Sequence, residues 1–98
     1  MAASFAIVHH FKGATTEQYE NALRVVHPDG GRGLPAGQLY HAAGTTEDGF
    51  VVIATFDSEA SWTKFRDETL LPGLGSLENG PPEPPVETAV HLVNVISA

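Results

Sequence analysis

QLYHAAGTTEDGFVVIATFDSEASWTKFRDETLL, residues 38–71, decides the fold. Gln38–Ala43 and Phe50–Phe56 are strand-like runs on either side of an Asp48-Gly49 turn, the pattern of a hairpin in which Gly49 supplies a positive φ. In the first run Leu39, His41 and Ala43 alternate with Gln38, Tyr40 and Ala42. The second is apolar on both faces, as a central strand covered on both sides requires. Ser58 then reads as a helix N-cap, with Glu59 near the positive helix end. Trp62, Phe65, Thr69 and Leu70 fall on the buried side of a helix over Ser58–Leu71, and Leu71-Pro72-Gly73 is expected to end it.

Before the hairpin, Ser4–Phe11 alternates, with Phe5, Ile7, His9 and Phe11 on one face and Ala6, Val8 and His10 on the other. Thr15-Thr16-Glu17-Gln18 is a capping box. Tyr19, Ala22, Leu23 and Val26 follow as one helical stripe, and His27-Pro28 stops it. Residues 29–37, DGGRGLPAG, follow a helix and precede no Lys-Ser/Thr pair, so they read as a connector rather than a phosphate cradle. After the hairpin, Ser76–Pro85 reads as a stiff proline-rich connector, and Val86–Ile96 alternates over the length of a long last strand. The order β-α-β-β-α-β predicts an α+β, ferredoxin-like domain spanning residues 1–98: a four-stranded antiparallel sheet with two helices on one face. The other face calls for a partner, and a second copy of the chain is the expected one. The last strand exceeds what its own sheet can cover, so its end is expected to reach a neighbouring subunit.

Ninety-eight residues hold one domain with a modest core. Five Lys and Arg against twelve Asp and Glu give a net charge of −7, which disfavours nucleic acid and anionic membranes as partners. The absence of cysteine excludes disulfides, thiolate catalysis and Cys-ligated zinc. Neither a signal-peptide pattern nor an apolar run of ~20 residues is present, so a cytoplasmic protein is expected.

Gly37 and His41, Asp48-Gly49, Phe56-Asp57-Ser58, Ser61-Trp62 and Leu71-Pro72 occur in an order that resembles the dimeric α/β-barrel superfamily, in particular its antibiotic-biosynthesis-monooxygenase-like branch. The resemblance implies a homodimer in which two four-stranded sheets face each other, with a pocket between each sheet and its helices. Members of the superfamily include cofactor-independent oxygenases, haem-degrading enzymes and proteins of no known activity. The haem-degrading pattern is broken here: Trp62 matches, but the first strand lacks an Asn and residues 63–75 lack a His.

Histidine is the enriched chemical group, five in 98 residues. A neutral imidazole suits general-base work near pH 7, and it also serves as a satisfied core side chain. His41, at the resemblance's second-strand position, His10 and His9 are the candidate catalytic residues. His9 and His10 point to opposite faces, so only one of them can enter a given pocket. Trp62, Tyr40, Phe65 and His91 are the candidate ligand-binding residues; the strand order that the resemblance implies, with the third and last strands flanking the first, puts His91 beside His9 or His10. His27, at a helix end, reads as structural, and Tyr19, which could orient a phenolic or carbonyl ligand, is read as amphipathic surface packing. No metal-ligand pattern is present and no cofactor is expected. Two functions follow as expectations. One is cofactor-independent oxygenation of a small aromatic or polyketide-like compound, and the other is a non-enzymatic ligand-binding or structural homodimer.

Overall fold

A computed structural model describes residues 3–80 and 83–97; Pro81 and Pro82 of the proline-rich connector lie outside the described residues. The elements run β1 (Phe5–Lys12), α1 (Thr16–Val26), β2 (Gln38–Thr46), β3 (Gly49–Phe56), α2 (Glu59–Phe65), α3 (Leu71–Gly75) and β4 (Val86–His91). The four strands form one antiparallel sheet in the order β2-β3-β1-β4. This is the connectivity of a ferredoxin-like α+β fold.

The helices cover one face of the sheet. Phe5 and Ile7 of β1 and Ala54 and Phe56 of β3 pack with Val26 of α1 and with Trp62 and Phe65 of α2. Phe5 and Phe56 are fully buried, and their backbones are directly paired across β1 and β3. The capping box of α1 is formed as the sequence requires. Gln18 N–H donates to Thr15 Oγ1 at 3.2 Å, and Thr15 N–H donates to the Gln18 side chain at 2.9 Å. His27 ends the helix in an extended conformation before Pro28.

Four local expectations are corrected. Gly49 does not adopt a positive φ, and the turn residues are Glu47 and Asp48. Gly49 is required by space: a Cβ there would stand 2.1 Å from the Phe11 carbonyl oxygen. The second helix does not stop at Pro72. A π-helical turn, Arg66–Leu70, carries it from α2 into α3, which contains Pro72 and ends at Gly75. Pro72 sits in the first turn of α3, where proline is tolerated because its fixed φ is helical and its missing N–H is one the turn does not need. The last strand ends at His91 rather than Ile96. Past His91, among the described residues, Leu92 N–H alone still bonds the sheet, to the Ser4 carbonyl at 3.0 Å, just before β1 begins at Phe5. Finally, the regular alternation of β2 is broken by a register shift between Gln38 and Tyr40. That bulge places Gln38, opposite Phe56, and His41, opposite Ala54, on the same helix-covered face.

Candidate functional site

Between the sheet and the helices lies an almost entirely apolar cavity of about 80 Å3. Phe50, Val52 and Ala54 of β3, Ile7, His9 and Phe11 of β1, and Trp62 and Phe65 of α2 contribute to its wall. Leu70 and Leu74 close it from the far end of the helical run.

Polar groups enter at two places. The first is built by β2 and the two ends of α1. Tyr19, in the first turns of α1, reaches the His41 ring, and its hydroxyl stands 2.6 Å from Nε2. His41 Nδ1–H donates to Gln38 Oε1 at 3.2 Å, so Nε2 is the acceptor of the Tyr19 hydroxyl. Tyr19 also stacks on Phe50, with ring centroids 4.8 Å apart. His27 abuts the His41 ring edge to face at 4.6 Å, and its Nδ1–H donates to the Gly33 carbonyl at 2.8 Å. Burial pushes the His41 pKa down from 6.5 to about 4, with neighbouring His27 adding to the effect. Burial also lowers His27 and raises Tyr19. At neutral pH all three are therefore uncharged; Tyr19, His41 and Gln38 form a neutral chain of hydrogen bonds, and His27 packs against it.

The second polar place is His9 on β1. Its ring is buried, edge-on to Trp62 at 5.5 Å and to Phe11 at 5.8 Å. Nε2 lies 2.9 Å from Glu87 Oε1 on β4, whose backbone is paired with that of His9. The His9 and His41 backbones are two strands apart and offset by two residues, roughly 12 Å from sheet geometry. They form separate poles of one cavity.

The structure thus brings His9, His41, Trp62 and Phe65 to one cavity. It does not bring His10, Tyr40 or His91 there. His10 lies on the uncovered face of the sheet and bonds Asp48 at 2.9 Å, and Tyr40 is exposed on the same face. His91 pairs with Phe5, at the opposite end of β1 from His9 and His10, and its ring rests on the Phe5 ring at 5.4 Å. Tyr19, Gln38 and His27 also line the cavity, although sequence reasoning favoured packing for Tyr19 and structure for His27 and gave Gln38 no role. Tyr19 was findable as the one polar-tipped residue in the apolar stripe of α1. Gln38 was not, because its orientation depends on the bulge. Among the described residues no cluster of three or more His, Asp or Glu could hold a metal ion.

The chain matches no known protein family by sequence profile, and neither a curated protein nor a solved structure matches it.

Proposed function

We propose that this chain is a binding protein for a small, hydroxyl-bearing aromatic molecule that enters uncharged and is held in the cavity between sheet and helices of a dimeric α/β barrel. The observation that carries the reading is the neutral Tyr19–His41–Gln38 chain set into the wall of an otherwise apolar cavity. A few convergent polar groups in an apolar concavity are what orient a small ligand. The volume limits its size. About 80 Å3 is roughly half of an apolar cavity that admits benzene, so even one ring enters only as Leu70 and Leu74 give way. Several fused rings of a polyketide-like compound exceed it.

Dimerisation is supported by the uncovered sheet face, where Val8, Val51, Ile53, Val86 and Val90 lie together. A second copy of the chain is the partner that buries it, as the resemblance to the monooxygenase-like branch implies.

A second reading, oxygenation of the bound ring without a cofactor, draws on the same imidazoles. For His41 acting as the base it meets an energetic obstacle. Taking a proton from a phenol of pKa ~10 onto a group of pKa about 4 is uphill by about 8 kcal/mol. Binding is therefore the function we favour.

The test is a thermal-shift survey of phenol, catechol and hydroquinone against the wild-type chain, His41→Gln and Tyr19→Phe. A compound present at 100 times its Kd stabilises by ~2.7 kcal/mol. Both variants are expected to lose affinity, and wild-type protein with the best binder is expected to consume no oxygen. No shift with any compound would sink the binding reading. Oxygen uptake that tracks the bound ring would promote the oxygenase.

A further inference from the structure

The two imidazoles that face the cavity from the sheet differ in what is left for a ligand. Both His41 nitrogens are engaged, by Tyr19 and by Gln38. His9 has one nitrogen engaged, Nε2, and its partner is a carboxylate. Among the described residues no buried side-chain nitrogen or oxygen lacks a partner and none pairs with His9 Nδ1, so that atom keeps some accessible surface. His27 also has a nitrogen to spare, but no carboxylate pairs with it among the described residues, and burial opposes its charging.

We propose that His9, oriented by Glu87, is the proton acceptor of the cavity, taking the hydroxyl proton of a bound phenol on Nδ1. The inference rests on the ligand-binding reading above and deepens it. The O–H bond of the ligand breaks and an N–H bond forms at Nδ1, leaving a phenolate beside an imidazolium. The Nε2–H···Glu87 bond stays in place, and the carboxylate stabilises the new positive charge at 2.9 Å. Glu87 is a positioning residue: its bond fixes the His9 tautomer with Nδ1 free of hydrogen. Its side chain is 42 % exposed, against 9 % for His9, so the dyad also joins the cavity to bulk water. Arg66, at the start of the π-helical turn, is close enough to feel the Glu87 charge, and its guanidinium is held by Asp67 at 2.9 Å. His41 plays a different part, since burial keeps it neutral near pH 7.

4-Nitrophenol separates these roles, because its anion absorbs in the visible and its neutral form does not. The titration is run at a pH where the free phenol is mostly neutral. Occupancy is read independently from quenching of Trp62, the single tryptophan, which lines the cavity. Wild-type protein is expected to show saturable quenching with an anion band. Per bound probe, that band is expected to fall to the level of the free phenol in Glu87→Gln and His9→Gln, to return in part in Glu87→Asp, and to persist in His41→Gln. If His9→Gln fails to fold, the half-exposed Glu87 carries the comparison. A neutral spectrum at wild-type saturation overturns the proposal and leaves ligand binding standing. So does a band that survives Glu87→Gln, or one lost in His41→Gln instead. Absence of saturable quenching overturns the binding reading and this inference with it.

Discussion

His41 shows how the position of one residue sets its chemistry. On an exposed strand it would titrate near 6.5, whereas between Tyr19, Gln38 and His27 it stays neutral down to about 4. The unfolded chain therefore takes up that proton first. Above pH ~6.5 neither state carries it and the site does not affect stability. Between 6.5 and about 4 the unfolded state is favoured progressively, and below about 4 the loss is complete. Allowing for partial solvent access to the ring, the loss is roughly 1–2 kcal/mol. His27, its pKa lowered by burial, acts in the same direction. Urea midpoints of wild type are expected to fall from pH 7 to pH ~4.5, and those of His41→Gln to fall less. Equal slopes would show that the His41 environment is not as described.

At the scale of elements, the crossing of α3 over α1 depends on Gly73. A Cβ at that position would lie 2.6 Å from Val26 Cγ1 and 3.2 Å from Val25 Cγ1. Gly75, at the end of the same helix, has nothing within 4 Å. Replacing either glycine with alanine recovers up to ~1 kcal/mol of backbone entropy, but overpacking at residue 73 costs ~1–3 kcal/mol. Gly73→Ala is therefore expected to lower the denaturation midpoint, by about 1–2 kcal/mol, and Gly75→Ala to leave it equal or higher. The same sign for both would mean that α3 does not seat on α1 in this way. The helical run shows where local reading has its limit. Proline after a helical pattern reads as a stop, yet the π-helical turn resets the hydrogen-bond register, so that Leu71 N–H reaches the Arg66 carbonyl and Pro72 enters a new first turn.

At the scale of the molecule, one face of the sheet is packed and the other is apolar and uncovered. Ile53 and Val86 are 42 % and 68 % exposed there, and beyond β4 Val93 and Ile96 are 99 % and 89 % exposed. An apolar surface of that kind marks an interaction site. Sedimentation of the wild-type chain is expected to give a dimer, and Ile53→Asp a folded monomer, since a carboxylate cannot be buried unpaired at the centre of such an interface. A wild-type monomer at micromolar concentration would remove the barrel from the proposed function. The sequence by itself determined the order of the strands and helices along the chain, the capping box of α1, the two central strands and the place of Trp62 and Phe65 on the buried side of the second helix. Those features follow from periodicity, capping and turn chemistry, which act within a few residues. Only the tertiary structure decided the site. The bulge after Gln38 turned that side chain toward His41, the folding back of α1 brought Tyr19 and His27 to the same ring, and the register of β4 set Glu87 rather than His91 beside His9. Each of these is a contact between distant segments, fixed by sheet register and helix packing, and no local pattern encodes it.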